Sequence, residues 1–419
     1  MATRATATAR GVRRGQLTGA LLLVTMAATT GCNALDNLLE VELPGQIASV
    51  DAESPGKAST LLEGGVTLFN AALVLQIYYG GQLGDEFIVR GAPNIETRAF
   101  PLGPDEAHYG TLARARWQND RTLTLLEGWS DAEVANRTSL IARAAVFAGY
   151  SNLLMGEAFC TAALDGGPEI QAQELFVRAD ARFTQAMQAA TVAGTTAMLN
   201  LARVGRARAR LNLGRLPDAK ADAILVPSGF KELALYPATV SGVNENLIHV
   251  HNYLTNITAI DAAYWDVRFA GVPDPRVGVV NTGQNAASGA PLWRATKYST
   301  RSSPVELGTW EEAQLIVAEA DAAAGNLSDA VAIINLLHTR AGLPGFGGGT
   351  QAEVRAQIMY ERRAELFVEG HHLGDYRRYQ LPFVPAAGAI YPYAPGYVYG
   401  NARCFPLPLS ERNSNPNID

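Results

Sequence analysis

The adjacent carboxylates Asp85 and Glu86 form the first group in the chain whose residue types could support chemistry. Glycosidases use two carboxylates, one as a general acid and the other as a base or nucleophile, on either side of the bond that they cleave. Neighbouring residues on a loop rarely point at one bond, and acidic pairs are common on loops. We therefore predict no catalysis at this pair.

Two groups of histidines have side chains that could ligate a metal ion. They are His249 with His251, and His371 with His372 and Asp375. No second cluster with ligand spacing completes either group, so we predict no metal site and no cofactor. The sequence also contains no P-loop, no G-x-S-x-G nucleophile motif and no G-x-G-x-x-G dinucleotide motif. These observations favour a protein that binds a ligand and is not an enzyme.

Flat aromatic side chains would suit a sugar ligand. Such rings stack on the apolar face of a pyranose, while polar groups bind its hydroxyls. Two candidates precede Gly80-Gly81, a pair that predicts a loop, and four lie in an irregular stretch later in the chain. The candidates are Tyr78, Tyr79, Tyr264, Trp265, Trp293 and Tyr298. Trp117 and Trp129 lie in helical patterns, where we expect core positions.

Helices are the elements that must position these residues. Leu62, Val66, Phe69 and Leu73 recur at steps of three and four residues, which is the period of a helix with one apolar face. Residues from about 237 to 305 differ, because they are rich in glycine, proline and asparagine. They predict a loop-rich region, and long irregular stretches in a compact protein are usually functional.

Two segments, 214–219 and 325–330, repeat the pattern G-x-L-x-D-A, and each has an alanine seven positions before its glycine. We interpret each as a helix that ends at a left-handed glycine, followed by a second helix that begins at Pro217 or Ser328. This spacing is typical of tetratricopeptide-like helical hairpins. We predict a mainly α-helical body with four such hairpins. Chance similarity of two helix turns is the alternative.

The first 31 residues have the composition of a signal peptide. Four arginines and no acidic residue precede an apolar stretch that is too short to span a bilayer. The stretch ends at Thr29-Thr30-Gly31-Cys32, which resembles a lipobox, the motif whose cysteine receives acyl chains such as palmitate. We predict that residues 1–31 are removed, that Cys32 is lipidated and that residues 32–59 form a tether. An ordinary signal peptide with a chance cysteine is the alternative.

Net charge and hydropathy limit the kinds of partner that the protein can have. Removal of residues 1–31 removes four arginines and takes the formal net charge from −6 to −10. Nucleic-acid binding needs a basic face, so we predict no nucleic-acid partner. We also expect no segment after the signal peptide to be long and apolar enough to span a membrane.

Cys160 and Cys404 are the two cysteines that remain after Cys32. In an oxidising compartment two such cysteines favour one disulfide, which here would tie the C-terminal tail to the body. Two unpaired, buried thiols are the alternative.

The strongest pattern lies in residues 306–419. It combines R-A-G at 340–342, E-R-R-x-E-L-x-x-E-G at 361–370, D-Y-R-R at 375–378, P-x-P-x-x-E at 406–411 and N-P-N at 415–417. A D-P-R element lies upstream at 274–276. Helical spacing alone puts Arg362, Glu365 and Glu369 near one face, as a solvated ion-pair surface or a partly buried polar network.

This order of motifs resembles the C-terminal signature of the SusD/RagB family of outer-membrane nutrient-binding lipoproteins. The resemblance covers the chain from Cys32 to Asn417 and implies a SusD-like helical domain over residues 60–419. The signature residues would then be structural and not catalytic. They are Asn335, Arg340, Glu361, Arg362, Arg363, Glu365, Glu369, Gly370, Asp375 and Arg378.

The same resemblance implies a function. A SusD-like lipoprotein captures an oligosaccharide, or sometimes a peptide, at the cell surface and covers a TonB-dependent SusC-like transporter. We accordingly expect a lipid-anchored protein on the exterior of the outer membrane. A helical-repeat scaffold lipoprotein that binds other proteins of the cell envelope is the alternative.

Overall fold

The computed structural model describes residues 53–89, 95–100, 106–239 and 244–418. The predicted signal peptide, Cys32 and the tether up to residue 52 lie outside the described residues. The prediction of a mainly α-helical fold is confirmed. The main helices are α1 Ala58–Leu83, α2 Glu106–Gly128, α3 Arg137–Ala158, α4 Ala172–Ala193, α5 Thr196–Asn212, α6 Leu216–Ala223, α7 Trp310–Ala324, α8 Leu327–Ala341, α9 Gln351–Glu365, α10 His372–Tyr379 and α11 Leu409–Ser414.

Helix α1 lies in the core of the described chain. Leu62, Phe69 and Ile77 have no exposed surface, and they belong to one apolar cluster with residues of α2 and α3. The expectation about membrane spans needs a correction here, because Pro55–Leu83 is long and apolar enough to cross a bilayer. Its apolar character matches the burial of this helix within the protein, since 56% of the most apolar window is buried.

Consecutive helices pack together as hairpins, in the pairs α1 with α2, α3 with α4, α5 with α6, and α7 with α8. Close approach between neighbouring helices depends on small residues. A Cβ atom added to Gly149 in α3 would lie 2.7 Å from the ring of Phe183 in α4, and one added to Gly205 in α5 would lie 2.4 Å from that ring. Phe183 therefore fits between α3 and α5 because both present glycine.

The two repeated turns have the predicted glycine geometry. Gly214 and Gly325 have φ angles of +71° and +85°, a region that side chains with a Cβ rarely adopt. The predicted start at Pro217 is one residue late, because α6 begins at Leu216 and has Pro217 in its first turn. The prediction for Ser328 is wrong, because α8 begins one residue earlier, at Leu327, with Asn326 as its N-cap.

Short two-stranded sheets hold the loop-rich part of the chain together. The strands are β1 Phe87–Val89, β2 Thr161–Ala163, β3 Glu169–Gln171, β4 Lys231–Ala234, β5 Thr258–Ile260, β6 Arg268–Phe269, β7 Val272–Pro273, β8 Val279–Asn285, β9 Pro291–Ala295 and β10 Val305–Thr309. Strand β1, directly after α1, pairs antiparallel with β5, and β8 pairs antiparallel with β9. Strand β5 also packs beside β9, so these four strands form one region of the surface.

Arg276 connects the loop-rich part to helix α9. Its guanidinium donates to Asp274 at 2.7 Å, to Glu361 at 2.7 Å and to Glu365 at 3.2 Å. The second carboxylate oxygen of Glu361 lies 2.7 Å from Nε2 of His338. The D-P-R element and the signature helix are thus joined by a largely buried network of charges.

Both ring nitrogens of His338 lie beside oxygen atoms. Its Nδ1 lies 2.6 Å from the carbonyl of Pro344, and its Nε2 faces the carboxylate of Glu361, an arrangement that favours the protonated ring. Burial alone would lower the pKa of His338, but the hydrogen bond and charge of Glu361 outweigh it and raise that pKa.

A second network joins α9 to α10 and α7. Arg362 donates to Asp375 at 2.9 Å, and Arg378 donates to Asp375 at 2.8 Å and to Glu319 at 2.5 Å. Burial alone would raise the pKa of Asp375, but the two arginines together hold that pKa below its ordinary value. Of the two interpretations of the signature charges, the buried polar network is therefore the one observed.

Glu369 does not share a helical face with Arg362 and Glu365, since α9 ends at Glu365. It lies in the turn beyond that helix and pairs with Lys297. Gly370, which follows, has a φ of +82°, and a Cβ there would lie 3.1 Å from Ile77 of α1. The end of the signature therefore contacts the core helix directly.

The remaining signature residues make local contacts. Asn335 exchanges two hydrogen bonds with the backbone of Phe346, which fixes the loop after α8. Arg340 lies 4.6 Å from the ring centre of Trp310 and forms an ion pair with Glu311. All of these contacts hold the fold together.

Glu86 links three parts of the chain. One side-chain oxygen accepts a hydrogen bond from the backbone of Val368 at 2.9 Å, and its backbone carbonyl accepts one from Asp261 at 2.9 Å. The residue is 1% exposed, and its other carboxylate oxygen has no hydrogen-bond partner. Burial consequently raises the pKa of Glu86 to about 7.

A disulfide joins Cys160, just after α3, to Cys404 in the C-terminal tail, with their Cα atoms 5.2 Å apart. Backbone hydrogen bonds from Cys160 to Phe405 and from Phe405 to Ala158, both 2.9 Å long, run beside it. The tail is thus attached to the helical body where α3 ends.

Loss of this disulfide should destabilise the protein, because it closes a loop between residues 244 positions apart. In a mature chain that carries Cys32→Ser, the further changes Cys160→Ala and Cys404→Ala should lower the free energy of unfolding by roughly 2–5 kcal/mol. Denaturant unfolding under non-reducing conditions measures the difference. An unchanged unfolding midpoint, or one that reductant lowers equally in both proteins, would contradict a structural disulfide.

The raised pKa of Glu86 predicts a pH-dependent loss of stability. Because the folded-state pKa lies above the ordinary value, stability is complete at acidic pH and declines as pH rises through about 7. Glu86→Gln should therefore gain stability relative to the parent protein between pH 5 and pH 8, by about 1–3 kcal/mol. Thermal melts across this range test it, with Glu174→Gln on the exposed face of α4 as the control. A parallel pH profile for the Glu86 variant and its parent would refute the assignment.

Candidate functional site

Trp265 and Trp293 form a stacked pair on the surface made by β5, β8 and β9. Their ring centres are 5.2 Å apart and their planes differ by 9°. Both side chains are partly exposed. A flat, partly exposed aromatic surface of this kind can pack against the apolar face of a sugar ring.

Trp265 is held in place by the segment that follows β5. Its indole Nε1 donates to the carbonyl of Ile260 at 2.9 Å. The intervening 3₁₀ turn begins at Asp261, whose side chain accepts from the backbone of Ala263 at 2.8 Å. Because Asp261 also donates to the backbone of Glu86, the indole is fixed relative to the end of α1.

Trp293 is held by a buried asparagine. The Nδ2 of Asn252 donates to the carbonyls of Thr258 in β5 and Trp293 in β9, at 2.8 and 3.0 Å, and its Oδ1 accepts from Ala295 at 3.0 Å. Asn252 has no exposed surface, so this one side chain fixes the spacing of the two strands. It was not among the sequence candidates, because a single asparagine in a loop-rich region has no distinguishing pattern.

Amide side chains border the tryptophan pair. Asn281 is the cross-strand partner of Trp293, so both residues lie on the same face of the β8–β9 hairpin. Gln284 and Asn285 follow on the same strand, and all three are exposed. Exposed amides can donate to and accept from sugar hydroxyls, which gives this surface both groups that a neutral glycan requires.

Arg294 stabilises the loop behind this surface. It donates to the carbonyl of Asn252 at 3.1 Å and to Oδ1 of Asn256 at 2.8 Å, and it lies 4.9 Å from the ring centre of Tyr253. Arg294 follows Trp293 in strand β9, so its side chain points to the face of the hairpin opposite the Trp293 side chain. We assign it a positioning role.

The prediction that Tyr78 and Tyr79 lie in a loop is wrong, because both are in the last turns of α1. Gly80-Gly81 continues that helix. Tyr78 is 5% exposed and contacts the ring of His251 at 4.5 Å, so a ligand cannot stack on it. Tyr79 is partly exposed and stacks on His108 at 5.2 Å.

Tyr264 and Tyr298 are also corrected as ligand candidates, because both are buried. Tyr264 is 1% exposed, stacks on Phe367 at 4.8 Å and has the guanidinium of Arg363 4.3 Å from its ring centre. Tyr298 has no exposed surface and donates to the carbonyl of Val368 at 3.0 Å. Trp265 and Trp293 are thus the two candidates from the irregular region that a ligand can reach.

Other aromatic residues lie apart from the pair. Trp117, expected in the core, is 49% exposed on α2, whereas Trp129 packs against the main apolar cluster. In the C-terminal tail, Tyr391 and Tyr399 are buried. Tyr399 lies 4.6 Å from the guanidinium of Arg98, so part of the tail packs against the body.

The carboxylates of Asp85 and Glu86 have separate partners. Asp85 accepts from Arg98 at 2.5 Å and from the hydroxyl of Tyr376 at 3.1 Å, whereas Glu86 accepts from Val368. Burial raises the pKa of Asp85 to about 7 in spite of the charge of Arg98. The two groups do not face a common space in which a bond could be cleaved.

The candidate histidines His249, His251 and His371 contact other parts of the fold. Nδ1 of His249 donates to the carbonyl of Tyr298 at 3.0 Å, and burial lowers the pKa of His251 to about 4. His371 accepts from Arg208 at 3.3 Å, and burial together with that arginine lowers its pKa. Within the described ranges, no group of three or more His, Cys, Asp or Glu side chains is placed to hold a metal ion.

Comparison with known proteins agrees with the signature. Residues 312–419, about a quarter of the chain, match the model of the SusD family. No curated protein matches the chain.

Solved structures resemble most of the chain. A putative sugar binding protein from Bacteroides vulgatus has a TM-score of 0.66 at 14% identity, over 87% of this chain and 97% of that one. A SusD homolog from Bacteroides thetaiotaomicron has a TM-score of 0.64 at 15% identity, over 89% and 98%. A SusD-like carbohydrate binding protein from Bacteroides vulgatus has a TM-score of 0.61 at 15% identity, over 87% and 97%.

At these identities the structural likeness shows the fold. The SusD-like fold spans most of the chain, and the family signature occupies its C-terminal part. Both findings agree with the SusD/RagB resemblance: residues 312–419 match the SusD family model, and the chain has a SusD-like fold.

Proposed function

We propose that this protein is a cell-surface lipoprotein that binds an oligosaccharide on the Trp265–Trp293 pair and passes it to a TonB-dependent SusC-like transporter. The observation that carries the proposal is the stacked, partly exposed indole pair beside the exposed amides of β8. Two structural neighbours are described as sugar or carbohydrate binding proteins, which supports the same ligand class.

The surface suits a polymer more than an enclosed small molecule. Three clefts among the described residues are lined by other parts of the chain and not by the tryptophans. A shallow aromatic surface binds one face of a chain and leaves its two ends free, so a long glycan can bind without being cut. This geometry agrees with capture followed by transfer.

The anchor and the transporter complete the proposal. Acyl chains on Cys32 would hold the protein at the outer membrane, since each buried methylene contributes about 0.8 kcal/mol. The predicted tether is shortened by α1, which begins at Ala58, so the residues between Cys32 and that helix would act as the leash between the lipid and the folded body. The transporter partner follows from the SusD/RagB resemblance, and ligand delivery requires such a partner.

Replacement of either tryptophan by alanine should weaken glycan binding. Loss of one stacked ring removes on the order of 1 kcal/mol, so Trp265→Ala and Trp293→Ala should each reduce affinity by about 5- to 10-fold. A glycan array first identifies a retained polysaccharide, and affinity gel electrophoresis with that polysaccharide measures the variants. Trp117→Ala, an exposed tryptophan on α2, is the matched control and should bind like the parent.

Trp265→Phe should retain most of the retardation, because an aromatic ring remains. If no glycan retards the parent protein, or if the Trp117 variant loses as much as the Trp265 variant, the proposed site is refuted. Binding to peptides or envelope proteins alone would favour a peptide carrier or a scaffold lipoprotein instead.

A further inference from the structure

A cleft of about 370 Å³ lies where α3 ends, and neither Trp265 nor Trp293 lines it. Its lining includes Glu157, Phe176, Asn212, Arg377, Arg403 and Cys404. The volume is at the small end of the range for ligand pockets, so it suits a molecule of one or two sugar units.

The acidic group in this cleft is already neutralised. Glu157 accepts from Arg208 at 2.8 and 2.5 Å, and from Nδ2 of Asn212 at 2.9 Å. Arg378, at the edge of the cleft, is likewise paired with Glu319 and Asp375. Arg377 and Arg403 are therefore the residues that give the cleft a positive charge.

Arg377 has no carboxylate within 4 Å among the described residues. Its guanidinium donates instead to the carbonyls of Gly156, Glu157 and Phe159, at 2.6, 2.9 and 3.1 Å. The partial negative charge of a helix C-terminus, about half an elementary charge, offsets only part of a full positive charge. Burial accordingly lowers the pKa of Arg377.

Arg403, the other arginine of the cleft, likewise has no carboxylate within 4 Å among the described residues. It donates to the carbonyl of Tyr376 at 2.9 Å and lies 4.2 Å from the ring centre of Phe383. A guanidinium has five N–H donors, so most of them remain for a ligand. Arg403 is partly exposed, which leaves it accessible from the cleft mouth.

We propose that this cleft is a second binding site, specific for the carboxylate of an acidic sugar such as a uronic acid. The two arginines would bind the carboxylate, since a guanidinium forms paired, charge-assisted hydrogen bonds with it. Phe176 supplies an apolar wall, and Oδ1 of Asn212 remains as an acceptor for a hydroxyl. The site is built from different elements than the tryptophan pair and does not rest on the proposed function.

Isothermal titration calorimetry of the mature protein tests the site, with D-glucuronate and digalacturonate as ligands and D-glucose and galactobiose as their neutral counterparts. We expect binding of at least one uronate, weakening with added salt, and none of the neutral sugars. Arg403→Gln should weaken uronate binding by about ten-fold or more, because it removes a charged hydrogen-bond donor. Arg178→Gln, an exposed arginine on α4, carries the same charge change and should have no effect.

A second variant keeps the test decisive if Arg403→Gln fails to fold. Gln380→Glu, at the exposed rim, places a carboxylate beside the two arginines and should also weaken uronate binding. Trp265→Ala should leave it unchanged, which separates this site from the glycan surface. The proposal is overturned if no uronate binds, if inorganic phosphate binds as well as the uronate, or if folded Arg403→Gln and Gln380→Glu variants bind like the parent.

Discussion

The ion pairs of Arg276 are the interaction on which the rest of the structure depends. This guanidinium lies between Asp274 of the loop-rich part and Glu361 and Glu365 of helix α9, and it is largely buried. Removal of one partner from such a group leaves an uncompensated buried charge, which costs about 3–5 kcal/mol. The loop-rich part and the helical body are therefore held together by contacts that tolerate little change.

Strand pairing and contacts with the C-terminal signature position the tryptophans. Helix α1 leads into β1, β1 pairs with β5, and β5 leads through Asp261 to Trp265. On the other side, Glu86 accepts from Val368 at the end of the signature, and Gly370 packs on Ile77 of α1. The C-terminal signature is thus far from the ligand surface in sequence, yet it fixes the segments that carry that surface.

Local patterns were predictable from the sequence, and burial was not. The left-handed glycines Gly214 and Gly325 and the helical hairpins follow from short-range rules of backbone conformation and apolar period. Gly80-Gly81 misled the prediction because glycine serves close packing there. A Cβ on Gly81 would lie 2.5 Å from the ring of Phe87, so glycine is needed within the helix and not for a turn.

Tertiary contacts also decided which aromatic residues can meet a ligand. Tyr264, Trp265, Trp293 and Tyr298 are equivalent in local sequence, but the signature residues Phe367 and Val368 bury the two tyrosines. Those contacts join residues more than 60 positions apart, which no local pattern encodes. Asn252 escaped notice for the same reason, since its role arises from two strands that meet only in the folded chain.

Hydrogen exchange of the Arg276→Met variant tests most directly whether the buried charges hold the ligand surface in place. We predict faster amide exchange in residues 258–298, which carry both tryptophans, while α3 to α5 keep the protection of the parent protein. Unchanged exchange in residues 258–298 would contradict the central role of this ion-pair network.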